Sequence, residues 1–205
     1  MKSLLDLSIL AVCFLLISGC EEDGGTNPDK ITGTGPLVTK ALQLDFFYKI
    51  ENNGVANFYI IAGSPQSVQL TAQQNIIDVM TFEVTDETLH VGFKKDVSVE
   101  NHEEIRFDIT LPALTGIGLT GVGDFVLSGE DQDQLTIRLT GVGNVKAFDM
   151  KVRSCTITST GVGNCEVYVT DNLRVTISGV GNVYYRGKPS IISHITGLGL
   201  LIDSN

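Results

Sequence analysis

The sequence predicts an all-β fold, a right-handed parallel β-helix or β-solenoid whose two-arm rungs are about 18–20 residues long. Three observations predict it. No stretch carries a convincing helical pattern of apolar residues over ten positions. Gly-x-Gly lines recur at near-constant spacing through the C-terminal half. When those repeats are superposed, their apolar residues fall into columns of a single parity.

The chain begins with an address rather than with fold. Met1-Lys2-Ser3 gives a positive start, and Leu7 to Ile17 is a mostly apolar run too short to span a bilayer comfortably. Asp6 is the discordant residue beside it. Ile17-Ser18-Gly19-Cys20 resembles the lipobox of bacterial lipoproteins, in which the peptidase cuts before an acylated cysteine. That resemblance implies a signal peptide over residues 1–19 and lipidation of Cys20, with the membrane as a partner through the lipid. Residues 20–35, opening Cys20-Glu21-Glu22-Asp23-Gly24-Gly25, read as a lipid-anchored flexible tether. Acidic residues directly after the cysteine resemble the surface-export signal of Bacteroidetes lipoproteins. The expected location is therefore the outer membrane with the domain facing the cell surface, a periplasm-facing anchor being the alternative.

The chain has 205 residues, 14 Lys plus Arg against 24 Asp plus Glu, and a formal net charge of −10. This balance offers no basic footprint for a phosphate backbone, so no nucleic-acid partner is expected. The acidity is N-terminal. Residues 1–110 carry 16 acidic and 7 basic residues, and residues 111–205 carry 8 and 7. Gly accounts for 22 residues, an excess over the usual share that needs a cause.

Residues 36–205 read as one domain in two textures. From 36 to 112, strands alternate with polar turns: Ala41 to Tyr48, Val55 to Ala62, Ser67 to Ala72, Leu89 to Phe93 and Ile105 to Leu111. From 113 to 205 the sequence is periodic. Its corners are Thr120-Gly121-Val122-Gly123-Asp124, Thr140-Gly141-Val142-Gly143-Asn144, Thr160-Gly161-Val162-Gly163-Asn164, Ser178-Gly179-Val180-Gly181-Asn182 and Thr196-Gly197-Leu198-Gly199-Leu200. Their first glycines are 20, 20, 18 and 18 residues apart. A related Leu114-Thr115-Gly116-Ile117-Gly118 precedes them, and the six Gly-x-Gly pairs hold 12 of the 22 glycines.

Each repeat offers two short arms that cannot bury an apolar side alone; stacking them one rung apart, at roughly 4.8 Å, does. Leu135, Cys155, Leu173 and Ile191 then form one inward column, Ile137, Ile157 and Val175 a second, and Phe125, Val145, Cys165 and Val183 a third. Arg138, Thr158, Thr176 and His194 point outward. The glycines are read as structural turns that admit positive φ, and Asn144, Asn164 and Asn182 as a ladder beneath Asp124. A phosphate-gripping glycine loop would need a following helix and a single copy. A calcium β-roll would need an acidic residue at every corner, and only Asp124 supplies one. The last corner has Leu200 in place of Asn, which suggests a terminal rung whose edge is capped or paired.

These corners, together with Leu42-Gln43-Leu44-Asp45-Phe46, Asp86-Glu87-Thr88-Leu89-His90-Val91 and Ile109-Thr110-Leu111-Pro112-Ala113-Leu114, resemble the GIN-type domain, a family of bacterial lipoproteins and secreted proteins regarded as auto-transporter adhesin heads. The similarity runs from about Val38 to the C-terminus. It implies a β-solenoid and an adhesive or binding role, and it brings no catalytic residues.

No catalytic, metal or cofactor site is expected. His90, His102 and His194 lie far apart in sequence, and Glu103-Glu104 and Asp131-x-Asp133 sit in polar segments, where solvated carboxylates are the ordinary reading. Cys155 and Cys165 are both inward, and facing layers near 10 Å apart favour buried thiols over a bridge. The candidate binding face is aromatic: Phe148 and Tyr168 superpose in neighbouring rungs, with Tyr184 two residues out of register and Lys146 and Arg186 alongside. Such a face suits a glycan or surface-protein ligand. The functional expectation is a surface adhesin or binding module. The alternatives are a structural envelope protein and a polysaccharide-active β-helix enzyme, the latter to be recognised by acidic and basic residues clustered in a groove.

Overall fold

The computed structural model describes residues 29–205; the signal-like segment, Cys20 and the first part of the tether lie outside it. In chain order the strands are β1 (Asp29–Thr32), β2 (Leu37–Leu42), β3 (Lys49–Asn52), β4 (Asn57–Ala62), β5 (Ser67–Gln73), β6 (Met80–Thr85), β7 (Thr88–Phe93), β8 (Val97–Glu100), β9 (Arg106–Leu111), β10 (Gly116–Leu119), β11 (Phe125–Gly129), β12 (Gln132–Leu139), β13 (Val145–Ser159), β14 (Cys165–Ile177), β15 (Val183–Arg186), β16 (Ser190–Ile195) and β17 (Leu201–Asp203). The helix α1 (Gln74–Ile77) is one turn long and buries Ile76 and Ile77. The protein is all-β, its strands forming a strongly curled 15-stranded sheet with β1 and β8 paired apart from it. Of the expected strand over Ala41–Tyr48, only Ala41 and Leu42 are in a strand, at the end of β2, and residues 43–48 form the connection to β3 at Lys49.

Two columns of strands run through the sheet. Column A, the arms before each corner, is β6-β7-β3-β10-β12 followed by the second halves of β13 and β14 and by β16. Column B, the arms after each corner, is β2-β5-β9-β4-β11 followed by the first halves of β13 and β14, then β15 and β17. From β7 and β9 onward every pairing along the columns is parallel. The antiparallel pairs β2–β5, β5–β9 and β6–β7 lie at the other end.

The register is the one that inward and outward parity requires. Leu135, Cys155, Leu173 and Ile191 are opposite one another, as are Ile137, Ile157 and Val175. Phe125, Val145, Cys165 and Val183 align and extend to Phe58, Phe107 and Leu201. Phe58 stacks between Phe107 and Phe125, with centroids 5.0 and 4.7 Å away and interplanar angles of 8° and 9°.

Residues 49–62, expected among the N-terminal strands, join the repeat stack, since β3 pairs with β10 and β4 with β11. The corner between them, Asn53-Gly54-Val55-Ala56-Asn57, is a degenerate copy whose Val55 bridges Val122. The stack is therefore out of chain order: β3–β4 lies between the earlier-placed β7 and β9 and the later rung of β10 and β11. Conversely, Gly116 and Gly118 turn no corner, because they lie within β10 in unbroken register with Lys49–Asn52 and Thr136–Leu139.

The two glycines of a corner have different reasons. Gly123, Gly143, Gly163 and Gly181 take positive φ, from +137° to +152°, where a side chain is strained. Gly121, Gly141, Gly161 and Gly179 do not. A Cβ there would strike the carbonyl of the corner one rung earlier. The ladder residues also divide their labour: each side-chain oxygen accepts from the backbone N–H of the next corner, Asn57 to Asp124 (2.9 Å), Asp124 to Asn144 (2.7 Å), Asn144 to Asn164 (3.0 Å), Asn164 to Asn182 (2.8 Å) and Asn182 to Leu200 (2.9 Å). The side-chain amide of Asn144 donates to Asp124 as well (3.0 Å).

At Leu200 the ladder ends, and the expected cap is not there among the described residues. β16 pairs only with β14, and β17 only with β15. The inward-column Ile191 is 39% exposed, Leu198 78% and Leu200 62%.

A candidate recognition face

Outward side chains of column B form two rows across the rungs. One runs Gln69, Asp108, Tyr59, Val126, Lys146, Glu166, Tyr184 and Ile202, as the strand pairing requires. The other runs Thr110, Ile61, Ser128 and, past a break, Tyr168 and Arg186.

The break lies at Phe148. Rungs shorten from 20 to 18 residues beyond it, and β13 absorbs the difference: Ala147 pairs with Val167 and Lys151 with Tyr168, so Phe148, Asp149 and Met150 have no partner in β14. Phe148 therefore does not superpose on Tyr168. The bulge re-aims its ring. Arg186, two rungs on, lies over that ring with its guanidinium carbon 4.1 Å from the centroid. The displacement of Tyr184 by two residues is as expected, since Tyr184 faces Glu166 while Tyr168 faces Arg186.

Rings on this face are accompanied by cations. Lys151 Nζ is 5.5 Å from the Tyr168 centroid, and the Tyr184 hydroxyl accepts from Asn182 Nδ2 at 3.1 Å. At the other end, Arg106 lies 3.7 Å over the Tyr59 ring and donates through Nε (2.8 Å) and Nη2 to both oxygens of Asp108. The hydrogen bonds that Arg106 donates to Asp108 hold the Arg106 pKa above its ordinary value. Phe148, Tyr168 and Tyr184 are half-buried, while Lys146 and Arg186 are exposed. The rings are thus partly sheathed by cations rather than bare, a geometry that offers stacking edges beside hydrogen-bond donors.

Tyr59, Arg106 and Asp108 escape a reading of the repeats because they precede the periodic segment. The signal that finds them is Gly54-Val55-Ala56-Asn57: aligned on the corners, it puts Tyr59 in the row of Lys146 and Tyr184.

The other candidates lie outside these two rows of side chains. Glu104 accepts from Asn57 Nδ2 (2.9 Å), and Glu103 donates its N–H to Gln73 Oε1 (3.1 Å). Asp131 and Asp133 line a groove of about 550 Å³ with Lys151 and Arg153, in which Arg153 Nε is 3.4 Å from Asp133. Among the described residues, no three His, Cys, Asp or Glu side chains group as metal ligands. Cys155 and Cys165 are buried free thiols. Burial pushes Cys155 up to about 12, and burial, with a smaller effect of its neighbour Cys155, raises Cys165 well above the ordinary thiol range. Among the described residues, no helix is long and apolar enough to cross a membrane.

The columns and their rows define a class: an all-β domain built on one strongly curled sheet, with an apolar interior and rings and charges on its outward face. The family model described as "Putative auto-transporter adhesin, head GIN domain" matches residues 46–135 and 119–189, and the chain belongs to this family. A crystal structure from Bacteroides fragilis, described as a "putative adhesin", is similar in fold at 22% identity and a TM-score of 0.57, over 85% of this chain and 100% of that one. One from Parabacteroides merdae, described in the same words, matches at 20% identity and a TM-score of 0.46, over 86% and 100%. A third, from Parabacteroides distasonis, described as a "putative lipid binding protein", matches at 18% identity and a TM-score of 0.44, over 86% and 100%. No curated protein matches the chain.

Proposed function

We propose that this chain is a lipid-anchored adhesin of the outer membrane, a right-handed β-solenoid held off the lipid on Cys20 by the tether and binding surface glycans through the outward face of column B. The observation that carries the reading is the repeated association of ring and cation along that face: Tyr59 with Arg106 at 3.7 Å, Phe148 with Arg186 at 4.1 Å and Tyr168 with Lys151 at 5.5 Å. Planar groups of this kind stack on the apolar faces of sugars, and the adjoining charged groups take their hydroxyls. Family membership supports the adhesive role, and the lipobox-like Ile17-Ser18-Gly19-Cys20 supports the anchor. The corner glycines belong to the scaffold and contact no ligand.

The test uses the chain from Cys20 onward with Cys20→Ala, so that it is soluble. Phe148→Ser, Tyr168→Ser and Tyr184→Ser together should abolish its binding on a glycan array and leave the circular-dichroism spectrum unchanged. Undiminished binding by that variant would refute the assignment. Radiolabelled palmitate incorporated by the wild type and lost in full-length Cys20→Ala checks the anchor.

A further inference from the structure

Among the described residues, nothing covers the last rung of the stack, made of β16, the Leu198 corner and β17. In the rung before it, backbone groups on that side are taken by its successor: Ile177 O accepts from Thr196 N–H (2.8 Å), and Val183 N–H donates to Leu200 O (2.8 Å). Ile195 and Leu201 hold the corresponding positions in the last rung. By strand alternation the N–H and C=O groups of Ile191, Ser193 and Ile195 face the open side. All six residues of β16 are exposed. Such an edge is a template for another strand.

Natural edges are guarded by charge, and the strands at the opposite end follow that rule, with Lys40 in β2 and Glu83 in β6. The late end does not. Residues 191–202 contain no Lys, Arg, Asp or Glu, whereas their counterparts in the three preceding rungs, 135–146, 155–166 and 173–184, contain one or two each. Asp203, the next residue, accepts hydrogen bonds from the N–H (3.0 Å) and side-chain amide (2.6 Å) of Asn205. Ile191, Ile195, Leu198 and Leu200 are exposed instead. The C-terminal half, with 8 acidic and 7 basic residues, is nearly neutral, so two late ends meet without the repulsion that the acidic half would bring. The tether is fastened at the other end. β1 pairs with β8, Asn75 of α1 donates to Thr32 O (2.8 Å) and accepts from Thr34 N–H (3.0 Å), and Gln73 donates to Gly35 O (3.1 Å). Only residues 20–28 separate Cys20 from β1.

We propose that the late end binds a second copy of this chain, β16 against β16, so that copies anchored in two facing membranes join end to end. A two-fold axis at Ser193 makes the pair antiparallel and sets Ile191 of each copy opposite Ile195 of the other. Both isoleucines belong to inward columns, so the pairing makes one apolar interior of two. The contact closes at two copies, because a filament would need a late end to match the charged, antiparallel early end. Each anchor then lies at a far end of the pair. The joining of two membranes rests on the Cys20 anchor proposed above; the strand pairing does not, and neither uses the ring-bearing face.

The test has two arms. In sedimentation velocity the soluble Cys20→Ala chain should pass from monomer to dimer between about 1 and about 200 µM, and go no further. Ser193→Pro removes an N–H on the open side, which an edge strand tolerates, and Leu198→Glu with Leu200→Glu sets like charges on exposed positions of both copies. Each variant should weaken dimerisation at least about tenfold and leave the circular-dichroism spectrum unchanged. Phe148→Ser should dimerise as the wild type does. In the second arm, the chain from Cys20 onward is coupled through the Cys20 thiol to maleimide-bearing vesicles, Cys155 and Cys165 being buried. Wild-type vesicles should aggregate in light scattering, and Ser193→Pro vesicles should stay dispersed. A wild type that stays monomeric or grows beyond the dimer, undiminished dimerisation by the late-end variants, or dispersed wild-type vesicles overturns the proposal.

Discussion

At the corners a single methyl group decides the outcome. Gly163 sits at φ +147°, and a Cβ on it would press into the Gly143 carbonyl. Gly163→Ala should therefore lower stability by about 2–4 kcal/mol in chemical denaturation, combining backbone strain with steric overlap. Gly116→Ala, in a regular strand, should change it by less than about 1 kcal/mol. The two thiols give a second residue-scale prediction. Their folded pKa values lie above the ordinary thiol value, with Cys155 near 12, so the folded state retains protons that the unfolded chain releases. Their contribution is complete below about pH 8.5 and declines as pH rises from there toward 12, by about 1.4 kcal/mol per pH unit for each thiol. Cys155→Ala with Cys165→Ala should flatten the alkaline fall in stability. An identical slope in both proteins would contradict it.

At the element scale, the ladder and the phenylalanine stack hold successive rungs in register. Asp124→Ala removes the acceptor of the Asn144 N–H and should destabilise by about 1–3 kcal/mol, whereas Asp124→Asn keeps an acceptor and should stay within about 0.5 kcal/mol of wild type. Phe58→Ala empties the middle of a three-ring stack and should cost about 3–5 kcal/mol by calorimetry or denaturation. The inward columns from Leu135 to Ile191 were legible in the sequence because parity and period leave one register that buries them. The bulge at Phe148 was not. Spacings of 20 and 18 announce that two residues must be lost, but only the pairing shows that Phe148, Asp149 and Met150 go without partners in β14 while Arg153 faces two residues of the next rung. Gly116-Ile117-Gly118 misleads for a related reason: its composition matches a corner, whereas Lys49 and Thr136 beside it make it a strand.

At the scale of the whole molecule, the ends of the stack differ. The early end is covered by antiparallel strands and α1, and the late end exposes Ile191, Leu198 and Leu200. The chain order was hidden in the sequence because placing β3–β4 between later strands depends on contacts across the fold, and Ala56 in place of the second glycine disguises its corner. The division of labour was more readable, with glycine and asparagine at corners and aromatic and charged residues on arms, although the sheathing of the rings by Arg106, Arg186 and Lys151 required the structure. The proposed function assigns the ligand to the outward face of column B and leaves the corners to build the stack. Hydroxyl-radical footprinting with a glycan selected on the array tests it most directly. Tyr59, Phe148, Tyr168 and Tyr184 should be protected, with no change at the half-exposed Val122, Val142, Val162 and Val180 of the corners. Protection of those valines with the four rings unaltered would contradict it.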